Sequence, residues 1–167
     1  MIEMLILALH CAVFAAVVLA AYEDVRFMRI RNNIALAVVA LFLPMLVLLP
    51  LNEVIAHLVT GGVIFAICAA LFFAGLFGGG DAKLLGAVAL WPTLHEVPAF
   101  LMIMTITGGV LAILAIVLKK SKFLDELKVK NPKLFGPEEG WLASLSRGET
   151  VVPYGVAIAV ATVVTVF

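Results

Sequence analysis

Charge is scarce in this chain. Only 13% of its 167 residues are charged, eleven of each sign, so the net charge is zero. No basic run is present to neutralise a phosphate backbone, which excludes nucleic-acid binding. Cysteine is nearly lacking as well: Cys11 and Cys68 stand alone inside apolar stretches, with no Cys-x-x-Cys pair and no His-x-x-x-His spacing anywhere. A zinc site and a disulfide framework are therefore excluded, no metal or cofactor is expected, and both cysteines are read as small core residues.

What the chain has in abundance is apolar side chain, 65% of all residues, with a mean hydropathy of +1.22. A soluble domain of this length is far more polar, so the composition predicts an integral membrane protein. The chain start carries Glu3 where a secretory signal carries Lys or Arg. Its apolar run, from residue 4 to residue 22, is longer than a signal core, and it is read as a retained span.

A hydrocarbon core of roughly 30 Å takes about 20 helical residues. Apolar runs at 4–22, 34–51, 54–77, 97–118 and 151–167 meet or approach that length. The run at 84–91 is shorter; at about 1.5 Å per residue it covers roughly 12 Å. It crosses only if extended on both sides, for instance over 81–94. The expected architecture is all-α: one polytopic membrane domain over 1–167, six transmembrane helices with the fourth short, and a polar loop over 119–150.

The positive charges are segregated. Arg26, Arg29 and Arg31 lie in the first loop and Lys83 in the third, while Lys119, Lys120, Lys122, Lys128, Lys130, Lys133 and Arg147 lie in the fifth. The N-terminus and the second and fourth loops hold only Glu3, Glu53 and Glu96. Cytoplasmic loops collect Lys and Arg, so both termini are expected outside the inner membrane. A re-entrant 84–91 would turn the seven positives of the fifth loop outward, against that rule. Two further acids, Asp24 in the first loop and Asp81 in the third, then share the cytoplasmic side.

Asp81 closes the run Gly78-Gly79-Gly80-Asp81-Ala82-Lys83 between long apolar stretches. An acid at membrane depth is expensive, and three glycines clear side chains from a place where backbone turns sharply or something approaches closely. Asp24 follows the first span, at the partially negative end of its helix, and Asp81 opens the fourth, at a partially positive end. That opposition suits an acid and a base sharing one proton, with Asp81 as the base that activates water and Asp24 as the acid. Such a pair hydrolyses a peptide bond without a metal. The plainer readings are an N-cap for Asp81 and a solvated loop acid beside Arg26 for Asp24.

These residues resemble the type IV prepilin peptidases, membrane aspartyl proteases that include the archaeal preflagellin peptidases. The run at 78–83 is similar to their Gly-x-Gly-Asp-x-Lys signature. Asp24-Val25-Arg26 with Ile30 and Asn32 resembles Asp-x-x-x-x-x-Ile-Pro-Asn, and Pro153-Tyr154-Gly155 resembles the start of the family's last span. The resemblance implies cytoplasmic-side cleavage of the basic leader of prepilin-like precursors, just before their hydrophobic helix, with Asp24 and Asp81 as catalytic aspartates. It further implies contacts to membrane lipids and to a pilus or secretion machine. Arg31 stands where the family usually has proline, which predicts a looser turn. No counterpart of the extra cytoplasmic portion of the bifunctional members is found, so the chain resembles the short, peptidase-only type of tight-adherence or Flp pilus systems, and methyl transfer is not expected.

Other residues carry smaller expectations. Lys83 is directed away from Asp81, toward lipid phosphate, substrate or simply the inside. Pro153 suits a first helical turn and Tyr154 an interfacial anchor. His10, His57 and His95 fall in the outer halves of spans and are read as packing or interface residues. Gly62, Ala66, Ala70 and Ala74, and on the fifth span Gly108 and Ala112, form small-residue faces for close helix packing. In the fifth loop, Phe123, Leu124 and Leu127 predict a short helix on the membrane surface, Trp141, Leu142 and Leu145 a return to the interface, and Glu138 and Glu139 an attraction for a basic leader. Two competitors stay open: a small ion- or proton-coupled transporter using the same two acids, and a non-catalytic subunit of a secretion machine.

Overall fold

The computed structural model describes residues 1–119, 121–131, 135 and 139–166, apart from the side chain of Asp125. Among them there is no strand. The helices are α1 (Ile2–Phe27), α2 (Asn32–Phe42), α3 (Met45–Leu48), α4 (Leu51–Phe73), α5 (Gly79–Val88), α6 (Val97–Leu118), α7 (Lys122–Lys130), α8 (Trp141–Ser146) and α9 (Tyr154–Val166).

Helices α1, α4 and α6 are long and apolar enough to cross a membrane; α2 with α3, and α9, are apolar but shorter. Their outer faces carry many exposed large side chains, among them Val63, Ile67, Ile106, Ile113 and Val117. Apolar exposure on that scale suits a hydrocarbon solvent, not water.

The ends of the helices follow from local chemistry. Pro44 lacks an N–H and separates α2 from α3, so the expected second span at 34–51 is interrupted. α4 closes with Gly75 at φ 74°, where Gly75 N–H donates to Phe72 O and Leu76 N–H to Leu71 O, a Schellman pattern. α1 runs on to Phe27, so Asp24 lies in its last turn and not in the loop beyond it. The expected fourth span reaches back to Gly79 but its helix stops at Val88, and 89–96 is turn and bend.

Ten residues of α5 measure about 15 Å, yet this helix is the centre of the fold. Ala82, Leu84, Leu85, Gly86, Ala87 and Val88 are all buried. α5 packs against α2, α4 and α9, and α9 packs in turn on α1 and α6. The Trp91 ring beyond α5 meets His10 of α1 edge-on and lies beside Phe42 of α2. α5 thus runs from the end of the bundle that holds Asp24 to the end that holds His10 and His57. A second small core, built on Ala115, Leu124, Phe135 and Leu145, joins α6, α7 and α8 at the Asp24 end.

Several expectations are corrected here. On α4 the buried face is Gly61, Ile64 and Cys68, where Gly61 sits under Leu90 of the neighbouring segment; Gly62, Ala66, Ala70 and Ala74 are exposed. Gly108 does lie at a close approach, to Tyr154 and Ala157 of α9. Cys68 is buried but Cys11 is exposed. Leu124 and Leu145 face protein within the second core. Trp141 Nε1 donates to Val151 O at 2.8 Å, which ties α8 to the approach of α9.

Candidate active site

Asp24 is 5% exposed, which does not suit the plainer expectation of a solvated loop acid. Its Oδ2 accepts the backbone N–H of Gly155 at 2.7 Å. Gly155 is the second residue of α9, so the Asp24 side chain occupies the start of that helix from outside it. The opposition of dipoles expected from sequence is thereby offset: Asp24 ends α1 but also meets the partially positive start of α9. Asp81 lies in the first turn of α5, so both carboxyls face helix starts.

The two acids line one cleft of about 230 Å³, with Met28, Arg29 and Ile30 on the Asp24 side and Gly78, Gly79 and Gly80 on the Asp81 side. Larger recesses lie elsewhere, but this cleft brings the two aspartates together beside the bare backbone of three glycines.

Glycine here has a geometric cause. A Cβ on Gly155 would stand 3.0 Å from both Asp24 Cβ and Oδ2 and 3.1 Å from Ile30 Cδ1. A Cβ on Gly78 would stand 2.5 Å from Asp81 Oδ2, and one on Gly79 2.9 Å from the Phe72 ring. The Gly80 backbone rests on Ile30, whose Cβ is 3.4 Å from where a Gly80 Cβ would be. The bare backbone leaves room for the carboxylates and keeps the first loop against the start of α5.

Other residues named from sequence join pairwise. Lys83 Nζ donates to Asn32 Oδ1 at 3.1 Å, linking α5 to α2 beside the cleft. Pro153 is fully buried before α9, and its carbonyl accepts Val156 N–H at 3.1 Å. Tyr154 packs its ring 5.8 Å from Phe77, at the foot of the glycine loop. Arg26 is not part of the cleft; its guanidinium lies 6.0 Å from the centre of the Tyr22 ring. Arg29 takes its place. His10 and His57 pack on Trp91 and Phe42, and His95 lines a recess with His57, at the far end of the bundle from the acids.

Two features escaped sequence reading. Glu23 is 2% exposed and ion-paired to Arg31. Beside that pair a polar recess of about 670 Å³ reaches from Glu23 and Phe27 to Asn33 and Glu139. An acid directly before Asp24, with an arginine eight positions on, was the available signal. Glu138 lies outside the described residues. Among the described residues no group of three or more His, Cys, Asp or Glu side chains forms a metal-binding cluster.

Comparison with curated proteins and with solved structures gives no significant match. The model of the type IV leader peptidase family matches residues 11–113, more than half of the chain, and that stretch contains Asp24, the glycine loop and Asp81. On this match, carried by an all-helical chain with membrane-length apolar helices, the protein belongs to the type IV leader peptidase family.

Proposed function

We propose that this protein is a metal-independent aspartic endopeptidase of the inner membrane, which removes the leader of prepilin-like precursors at the cytoplasmic face with Asp24 and Asp81 as its catalytic pair. The observation that carries the reading is the cleft itself: carboxyls from two separate helices, one of them held by a backbone N–H, meet over a floor of glycine. The family supplies the reaction class, peptide hydrolysis.

In the proposed cycle one carboxylate takes a proton from water, and the hydroxide adds to the scissile carbonyl carbon. The partner, protonated, gives its proton to the carbonyl oxygen. The tetrahedral diol then collapses, the C–N bond breaks, and the new amine leaves with a proton returned by the pair. The proton belongs to the two groups together. Gly155 N–H fixes one oxygen of Asp24, which leaves Oδ1 free for water or substrate. The glycines at 78–80 admit an extended substrate backbone beside Asp81.

Segregated charge supports six crossings with both termini outside. The short α5 favours a thinned bilayer or an acid pair just below the cytoplasmic surface. The recess bearing Glu139 opens beside the cleft, in a position suited to a basic leader. The transporter alternative is not favoured, because the family is one of peptidases.

The test is a cleavage assay with purified protein in lipid or detergent and a prepilin-like precursor. Wild-type protein is expected to convert it, and Asp24→Asn and Asp81→Asn to leave it intact. Conversion by either variant would overturn the mechanism.

A further inference from the structure

Glu23 is a buried acid that the proposed chemistry does not use. Its side chain is 3% exposed, whereas that of its partner Arg31 is 73% exposed. One carboxylate oxygen receives Arg31 Nε and Nη2, and the other receives the Arg31 backbone N–H at 3.3 Å. This pair closes the connection between α1 and α2 like a clasp, from the last turn of one helix to the residue that precedes the other.

The closed connection has a demanding shape. Met28 takes φ 48° and ψ 34°, a left-handed conformation that a side chain with a Cβ disfavours. Ile30 then fills the angle between the two helix starts that matter. It lies under Gly80, one residue before Asp81, and its Cδ1 reaches Gly155, which holds Asp24. Any relaxation of this loop therefore acts on both acids. Arg31 was expected to loosen the turn, because the family usually has proline there. Its backbone, at φ −70°, already has the angle that proline imposes.

We infer that the Glu23–Arg31 pair is a positioning device: it locks the loop that sets Asp24 against Asp81, and in this chain an ion pair does what a proline ring does by covalent constraint. The inference rests on reading the two aspartates as the catalytic pair. Glu23 and Arg31 act through the loop and touch no reacting atom.

Two readouts separate the claims. The first needs no peptidase activity. With Cys11→Ala and Cys68→Ala as background, Ile30→Cys and Gly80→Cys stand at about disulfide range, since the native separation of Ile30 Cβ from a Gly80 Cβ is 3.4 Å. Oxidation is followed by loss of reaction with a maleimide-linked polymer. Adding Glu23→Gln is expected to slow cross-linking about tenfold, and adding Arg31→Pro to Glu23→Gln to restore it to within about threefold, because the neutral amide no longer needs a cation and proline fixes the turn. The second readout is kinetic, in the native-cysteine protein: Glu23→Gln lowers kcat about tenfold with KM within about twofold, and the double variant recovers.

The proposal is overturned if monodisperse, folded Glu23→Gln protein cross-links at the background rate, or if Arg31→Pro brings no recovery in the double variant. If cross-linking follows expectation while wild-type protein cleaves no precursor, the clasp stands and the peptidase reading falls.

Discussion

The backbone N–H of Gly155 holds the Asp24 carboxylate at 2.7 Å, joining residues 131 positions apart. Gly155 lies beyond the stretch that the family model matches, and a side chain there would crowd the contact, its Cβ standing 3.0 Å from Asp24 Cβ and Oδ2. Gly155→Ala would force Asp24, Ile30 or the start of α9 to move by several tenths of an ångström. We expect kcat to fall about 100-fold with KM little changed, as for a misplaced catalytic group. Steady-state cleavage with a melting curve checks this, and wild-type kcat in folded Gly155→Ala would contradict it.

The acids are expected to behave as one unit. Asp24→Asn and Asp81→Asn should each reduce kcat by about 1,000-fold or more, and the double variant should be no worse than either. For the wild type, kcat/KM against pH should be bell-shaped with two ionisations. A profile with a single ionisation would remove the shared-proton mechanism.

Two glycines of the same helix, Gly78 at its N-cap and Gly86 near its far end, should separate activity from stability. Gly78→Ala crowds Asp81 Oδ2 and should lower kcat about 10- to 100-fold with the melting temperature kept. Gly86→Ala meets Phe65 at its Cβ and Cγ, 2.9 and 3.1 Å away, which should cost about 1–3 kcal/mol of stability by overpacking. Thermal melts in detergent set beside kcat reveal whether the two effects divide as expected.

Glu139 lines the polar recess beside the cleft. Glu139→Lys should raise KM for a precursor with a basic leader by about 3- to 10-fold and leave kcat unchanged. An unaltered KM would remove Glu139 from leader recognition.

Sidedness is open to direct labelling in a Cys11→Ala background. A cysteine replacing His95 should react with an impermeant maleimide from outside the cell, and one replacing Arg147 only once the cytoplasmic face is exposed. Outside labelling of the Arg147→Cys variant would require a re-entrant α5 and a different topology.

Much of the site was legible because its signals are local. Asp81 with three glycines in an apolar chain is unusual on cost alone, and the fifth apolar run coincides with the observed α6, Val97–Leu118. Contacts set by azimuth and distant pairing were not legible. Small residues every fourth position on α4 looked like a packing face, but Gly61, one position earlier, faces Leu90 and the stripe is exposed. In a membrane both faces of a helix are apolar, so composition does not tell lipid from protein. Arg26, named with the motif because it is near Asp24 in sequence, is carried by the helix toward Tyr22.

The sequence alone determined the apolar, helical class and the family, and singled out Asp24 and Asp81 as candidates, because hydropathy and a short glycine motif act over a few residues at a time. Tertiary structure decided that Asp24 is buried, that Gly155 and not a neighbouring arginine holds it, and that Glu23 pairs with Arg31 to close the loop. These depend on where α1, α5 and α9 meet. Groups from three distant helices, two carboxyls and a backbone N–H, come to one cleft only when the bundle packs, and no local pattern encodes that meeting.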